Sequence, residues 1–301
     1  MRPLWYMVLF VLAFSARQAV AEPLYWQAKK DDLTLTILGS VHVGDESMYP
    51  LPSAITDALK NSDGLIIETD IRKSDGVVYP HNKLTTADVL NEEQLQLLTD
   101  ISKSLEMPTQ QLLSSPPWAT SLSIQMQQLK NLGYGSAGGV DATLAYKATI
   151  QDVPVISLEP LQFQIDLMTK QKDDGKEWLV SSLEEFDQTD RVVHCLIESW
   201  KAGDLAKLEA FADLSEMSPE LEKAFLTDRN IDWANKLSAN DWKLDSNGNY
   251  LIVVGALHLV SEGNLLQLLK QKGFNVTQQS QSQQAQCQFE VSDDNQLNSR
   301  P

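Results

Sequence analysis

Apolar residues along this chain fall into short runs and longer helical periodicities. Threonine alternates with leucine and isoleucine at 33–38, whereas the later runs are continuously apolar, as in strands buried on both faces of a sheet. Strands are predicted at 33–38, 64–70, 153–160, 249–258 and near Val276. Helices are predicted at 51–63, over most of 85–150 and 161–240, and at 263–276. Alternation of strands with helices predicts a mixed α/β fold of parallel βαβ units with a large helical insertion.

Two of the apolar runs end in the same motif, a glycine followed three residues later by a histidine. The first motif is GSVH, from Gly39 to His42, and the second is GALH, from Gly255 to His258. A helix and another strand follow each copy, which indicates a weak internal repeat. The chain has only four histidines, and the other two have no such context. The repeat therefore indicates the ends of the predicted strands as the place to look for functional residues.

Side chains capable of chemistry follow four of the predicted strands, namely His42, Glu68, Glu159 and His258. Open α/β sheets bind ligands beyond the carboxyl ends of their strands, so we expect these residues to lie at one edge. Two imidazoles with one or two carboxylates suit a divalent metal ion. Each residue alone also has an ordinary interpretation, as a loop histidine or as a carboxylate that caps a helix or pairs with arginine.

A further candidate, Arg229, lies within an apolar stripe of a predicted helix. Leu226, Trp233 and Leu237 share its face at helical spacing. A buried guanidinium requires an anionic partner, either a structural carboxylate or a carboxylate or oxyanion at the site. The pattern equally allows a surface arginine whose stem covers the stripe.

The N-terminal segment differs from the rest of the chain. It has Arg2, an apolar run at 4–14 and the sequence Ala19-Val20-Ala21, which are the parts of a secretory signal peptide. We expect cleavage after residue 21, although an uncleaved anchor is the alternative. The mature protein would be periplasmic or secreted, with no stable membrane span, because the apolar run is short for one.

The remaining composition bounds the domains and partners. Residues 22–277 form one predicted domain, and the Gln/Ser-rich residues 278–301 a mostly flexible tail with a short strand at 287–291. A formal net charge of -17 argues against a nucleic-acid partner. Cys195 and Cys287 could pair in an oxidising compartment, and two unpaired thiols fit the sequence equally well.

Together these motifs resemble the TraB/GumN family. The resemblance rests on GSVH, GALH, IIETD, GVD at 139–141, ISLEP and RNIDWANKL, and covers roughly residues 24 to 276. That family includes Tiki-type metalloproteases and TraB/PrgY proteins, and is distantly similar to erythromycin esterase and ChaN-like proteins. The resemblance implies a mixed α/β fold with a helical insertion. For Tiki-type members it also implies peptide hydrolysis that depends on a divalent metal ion.

We therefore expect an exported metal-dependent hydrolase that acts on a peptide or amide bond. His42 and His258 would hold a divalent metal ion, which would polarise the scissile carbonyl and acidify a bound water. Glu68 would be the general base or a further ligand. Arg229 would stabilise an oxyanion or orient a carboxylate.

Two further candidates and two rival functions accompany this expectation. Glu159 and Asp141 could be metal ligands or could orient the histidines. The first rival is a metal-independent, esterase-like hydrolase in which one histidine is the base. The second is a non-enzymatic protein that binds a peptide or a small ligand. Activity that survives chelation favours the first rival, and binding without turnover favours the second.

Overall fold

A mixed six-stranded sheet organises the chain in the computed structural model, which describes residues 21–214, 218–260 and 262–289. The strands are β1 (Tyr25–Lys30), β2 (Leu33–Ser40), β3 (Gly64–Ile67), β4 (Val155–Ser157), β5 (Asn249–Gly255) and β6 (Asn275–Gln278). Their order across the sheet is β4-β3-β5-β2-β1-β6. The predicted mixed α/β fold is confirmed, with β1 added to the strands predicted from the sequence.

The four strands β4, β3, β5 and β2 run parallel, and β1 pairs antiparallel with both β2 and β6. Ile66 of β3 pairs with Ile156 on one side and with Ile252 of β5 on the other. Ile252 pairs in turn with Ile37 of β2. Because this register aligns the parallel strands, their carboxyl ends meet at one edge of the sheet.

Helices connect the strands and account for most of the remaining chain. They are α1 (Ser53–Lys60), α2 (Thr86–Val89), α3 (Glu92–Ser104), α4 (Thr109–Ser114), α5 (Pro117–Asn131), α6 (Val140–Ile150), α7 (Leu161–Thr169), α8 (Lys176–Glu184), α9 (Phe186–Ala202), α10 (Leu205–Leu214), α11 (Pro219–Glu222), α12 (Asp228–Ser238), α13 (Leu257–Val260) and α14 (Leu265–Gln271). A π-helical stretch, Lys223–Thr227, joins α11 to α12. Among the described residues, each helix is too short or too polar to span a membrane.

Successive strand residues face opposite layers of the core. Leu251 and Val253 pack with α1, α6 and α9, whereas Ile252 and Val254 pack with α10, α12, α13 and α14. This two-sided burial explains why the strand sequences are continuously apolar rather than alternating. A separate apolar cluster, which joins α3, α4, α5 and α8, lies in the predicted helical insertion.

The two ends of the described chain lie against α9 and the residues after it. The N–H of Glu22 donates to the Lys201 carbonyl at 2.8 Å. A disulfide joins Cys195 of α9 to Cys287 in the tail, and the N–H of Gln283 donates to a carbonyl at the end of α9. Residues 1–20 of the predicted signal peptide, which spans 1–21, and tail residues 290–301 lie outside the described residues. Residues 287–289, the described part of the predicted 287–291 strand, do not form a strand.

Candidate active site

Four buried side chains meet at the carboxyl edge of the parallel strands. Glu68, Glu159, Arg229 and His258 are each between 4% and 8% exposed at the side chain. The backbone continues the pairing of β3 and β4 past the strands, because the N–H of Glu159 donates to the Glu68 carbonyl at 3.0 Å. This continuation fixes the two carboxylates beside each other. The opposite side of the cluster comes from α12 and α13.

Arg229 is the centre of the cluster and uses all five of its N–H donors within the protein. Its Nη2 donates to Glu68 Oε2 at 2.5 Å and to Glu159 Oε1 at 2.6 Å, and its Nε to Glu159 Oε2 at 3.2 Å. Its Nη1 donates to the Phe225 carbonyl at 3.1 Å and to His258 Nε2 at 3.2 Å. The apolar stripe therefore buries an arginine that is paired with Glu68 and Glu159, and in this arrangement each of its N–H donors already has a partner.

Glu68 is an ionised carboxylate with both oxygens occupied. Oε1 accepts the Gly255 N–H at 2.8 Å, and Oε2 accepts Arg229 and, at 3.3 Å, the amide of Gln164. Burial alone would raise the pKa of Glu68. The charge of Arg229, with the charges that the two histidines carry when protonated and the hydrogen bond from Gly255, instead lowers it to about 2. A carboxylate with so low a pKa is a weak base.

Glu159 completes the anionic half of the cluster. Besides Arg229, it accepts the Gln164 amide at 2.9 Å and the Trp233 indole N–H at 3.1 Å. Every oxygen of the two carboxylates thus has a partner, as expected for buried charges. Two carboxylates and one guanidinium leave one net negative charge in the buried cluster.

His258 is held as a neutral imidazole. Its Nδ1 lies 2.7 Å from Asn230 Oδ1, and its Nε2 faces Arg229. Arginine can only donate, so Nε2 must carry the lone pair and Nδ1 the proton. Burial, together with the charges of Arg229 and His42, lowers the pKa of His258 to about 3 despite the opposing charge of Glu68. The ring also packs against Trp233, with centroids 4.4 Å apart.

His42 differs from His258 because 65% of its side chain is exposed. Its Nδ1 lies 3.0 Å from Asp141 Oδ2, and Asp141 Oδ1 accepts the Ser40 hydroxyl at 2.8 Å. Desolvation lowers the pKa of His42, but the hydrogen bond and charge of Asp141, with the charge of Glu68, raise it to about 9. Solvent reaches the ring and screens part of this attraction. The pair forms an imidazole backed by a carboxylate at the mouth of the site.

A glycine-rich segment, residues 133–139, positions Asp141 beside His42. The N–H of Val140 donates to the Val41 carbonyl at 3.0 Å, and Gly44 and Gly135 exchange backbone hydrogen bonds. A Cβ on Gly139 would lie only 2.4 Å from the His42 carbonyl oxygen. Glycine is therefore required for the two backbones to approach this closely, and Asp141 enters the first turn of α6 next to the histidine.

Gly255 leaves a shared space among the candidate side chains. A Cβ placed on this glycine would lie 3.3 Å from Glu68 Oε1, 3.6 Å from His258 Cδ2 and 3.8 Å from His42 Nε2. The two histidines of the G-x-x-H motifs therefore border one point, close to the ionised carboxylate. This point, in front of Gly255, is the place where a reacting group could meet all three side chains.

The arrangement does not fit a metal ion without rearrangement. Arg229 faces the lone pair of His258 Nε2 and one oxygen of Glu68, which a metal would need as donors. Within the described ranges, no group of three or more His, Cys, Asp or Glu side chains could hold an ion. We therefore derive no chemical step through a metal, and the predicted metal dependence stays a prediction.

The structure places the six candidate catalytic and metal-binding residues identified from the sequence in two groups. The buried group contains Glu68, Glu159, Arg229 and His258, and the exposed pair is His42 with Asp141.

Three polar residues around these groups had no role assigned from the sequence, namely Asn230, Gln164 and Ser40. Asn230 directly follows Arg229 in the chain, and Ser40 belongs to the first motif, GSVH. Proximity to Arg229 and to the first motif could have drawn attention to Asn230 and Ser40, but it does not indicate their hydrogen-bond partners.

Comparison with known proteins gives a family and two relatives. The family model described as the TraB/PrgY/gumN family matches residues 24–278. The Escherichia coli (strain K12) protein named "Uncharacterized protein YbaP" is 32% identical over 243 residues, which cover 78% of this chain and 87% of that protein. The protein of the same name from Shigella flexneri matches to the same extent. No solved structure gave a significant match.

Proposed function

Because this chain belongs to the TraB/PrgY/gumN family, we propose that it is an exported hydrolase that cleaves a peptide or amide bond. One observation carries the proposal. An exposed imidazole, His42, is backed by a carboxylate and borders the space in front of Gly255, beside an ionised Glu68. A base held in a fixed orientation suits hydrolysis, and the carboxyl ends of parallel strands are where open α/β sheets bind ligands.

His42 is the group we propose as general base. Asp141 accepts the Nδ1 proton and thereby leaves Nε2 as the nitrogen that faces the shared space in the neutral ring. Nε2 would take a proton from a water molecule as that water attacks the carbonyl carbon. The resulting imidazolium would then donate that proton to the nitrogen of the leaving amine as the C–N bond breaks. Asp141 stabilises the imidazolium between these two steps.

Glu68 takes a different role in this proposal from the general base expected from its position. Both of its oxygens accept hydrogen bonds, and its pKa is lowered to about 2, so it would accept a proton poorly at neutral pH. Its charge raises the pKa of His42 and favours the imidazolium that forms during proton transfer. We therefore propose that Glu68 supports the base electrostatically.

A metal-dependent hydrolase is the second candidate, and one observation favours it. Both histidines use Nδ1 for an oxygen acceptor, Asp141 for His42 and Asn230 for His258. Metal-binding histidines are commonly oriented in this way, with the other ring nitrogen left for the ion. A bound ion would acidify a water and polarise the scissile carbonyl. Arg229 would first have to leave His258.

The test is an activity screen of the purified mature chain. Fluorogenic peptide, amide and ester substrates would be assayed before and after exhaustive chelation. His42→Ala would be compared with His81→Ala, which removes an exposed histidine from a loop outside the site. We expect activity that survives chelation and is lost only in His42→Ala.

Other outcomes of this screen identify the rivals. Activity that is abolished by chelation and restored by one added metal would replace the proposal with the metal-dependent candidate. A ligand that binds the wild-type chain without turnover of any substrate would favour the binding protein. Unchanged activity in His42→Ala would remove the assigned base.

A further inference from the structure

Arg229 lies among three side chains whose types commonly bind metal ions, namely Glu68, Glu159 and His258. Its guanidinium contacts Glu68, Glu159 and His258 together, through donors on all three of its nitrogens. Carboxylates and imidazole are side-chain types that commonly bind divalent cations, although in their present arrangement these three form no metal-binding group. Here the atoms that would supply their lone pairs point at an organic cation.

The orientation of His258 reinforces this assignment. Arg229 and Asn230 are consecutive residues of α12, and each contacts one ring nitrogen of His258. Because Asn230 accepts the Nδ1 proton, the lone pair on Nε2 is directed at the guanidinium. A metal would require the same lone pair, so the ion and the arginine compete for one position.

Electrostatic repulsion disfavours simultaneous occupation of the cluster by the Arg229 guanidinium and a divalent metal ion. The cluster contains two negative charges and the guanidinium, and each of its side chains is at least nine-tenths buried. Like charges a few ångströms apart repel strongly where little water screens them. An incoming dication would therefore have to displace Arg229 from both carboxylates.

We propose that the Arg229 guanidinium takes the place of a divalent cation among Glu68, Glu159 and His258, so that the native chain binds no metal ion at this cluster. The chain itself thus supplies a cation that balances one of the two negative charges of the cluster. This inference concerns the buried cluster alone and does not depend on whether the chain is a hydrolase. Its test is metal binding, whereas the test of the proposed function is turnover.

The experiment uses the full mature chain and removes the internal cation. Arg229→Met keeps a long unbranched side chain but removes the charge. Arg72→Met is the matched control, because Arg72 also pairs with a buried carboxylate, Asp70, whose other ion-pair partner among the described residues is the cation of Lys73. Each protein would be dialysed against Mn²⁺ or Zn²⁺, its metal content measured, and its thermal unfolding followed with and without the ion.

We expect Arg229→Met to bind about one ion per chain, at least about 100-fold more tightly than the wild type or the control, because a fixed buried charge no longer repels the ion. The ion should raise the unfolding temperature of this variant alone. If the variant folds only when metal is present, the ion has replaced the guanidinium and the proposal is supported.

The double variant Arg229→Met/Glu159→Gln keeps the proposal testable if the single variant does not fold. It has the same net charge as the wild-type cluster and retains Glu68 and His258 as donors. It should bind the ion more tightly than the wild type. Failure of every folded Arg229 variant to bind more metal than the wild type would overturn the proposal. Wild-type binding of one ion that Glu159→Gln abolishes would overturn it as well.

Discussion

Replacement of Glu68 by glutamine tests the energetics of the buried cluster. In the folded protein the carboxylate accepts bonds from Arg229, Gln164 and the Gly255 N–H. Glutamine has nearly the same shape, but it loses the charge and presents an NH₂ group to donors. Arg229 would keep only Glu159 as a carboxylate partner. We expect the variant to fold, with a lower free energy of unfolding than the wild type.

The magnitude follows from the lowered pKa of Glu68. Lowering this pKa from 4.5 to about 2 on folding corresponds to roughly 3 kcal/mol of stability at neutral pH. Because the folded pKa is the lower one, this stabilisation is fully present above pH 4.5 and is lost as the pH falls toward about 2. Removal of one partner from a buried ion pair generally costs a similar amount, about 3–5 kcal/mol.

Denaturant unfolding at two pH values measures the effect. At pH 7 the free energy of unfolding of Glu68→Gln should be about 3 kcal/mol below that of the wild type. Near pH 2 the difference should largely disappear, because Glu68 is then being protonated in the wild type too. Glu93→Gln, on the exposed side of α3, serves as the control and should show little effect at either pH. A difference that is the same at both pH values would refute the attribution to charge.

Three other expectations follow from the site and from the N-terminal segment. If His42 is the base, the hydrolysis rate should rise with pH toward about 9, as the ring loses its proton. Asp141→Asn should move that rise to lower pH while reducing the maximal rate, and an unmoved pH–rate profile would contradict the pairing. Gly255→Ala should fold, by circular dichroism, yet lose at least about tenfold in kcat/KM, because its Cβ would enter the shared space 3.3 Å from Glu68. Full activity would show that the reaction does not use this space. N-terminal sequencing of the exported protein should begin at Glu22, and retention of residue 1 on a membrane-bound form would contradict cleavage.

The central strands could be predicted because burial on both faces leaves an unmistakable apolar run. The predicted runs at 64–70 and 249–258 correspond to β3 and β5. In contrast, β1 has the sequence YWQAKK, which lacks β-branched residues and ends in two lysines. Its place in the sheet depends on backbone pairing with β2 and β6, and local composition does not encode that pairing.

The candidate site was predictable to the extent that it follows from topology. Parallel strands end at one edge, so residues just after them, such as Glu68 and Glu159, must be neighbours. The partners of those residues could not be predicted in the same way. Arg229 had two open interpretations, and the contact of Asn230 with His258 depends on how α12 is rotated against the sheet. Such contacts between distant segments require tertiary structure.

The attachment of both ends of the described segment at α9 has a consequence for how the fold opens. Glu22 leads into β1, Cys287 follows β6, and each is fastened at or near this helix. The two antiparallel strands at that side of the sheet are thus coupled to a helix far from them in sequence. Local fluctuations that expose β6 should involve the tail and α9 together, as one cooperative unit in native-state hydrogen exchange. Reduction of the disulfide would divide that unit, so that exchange at β6 becomes faster while α9 remains protected by its packing on the sheet.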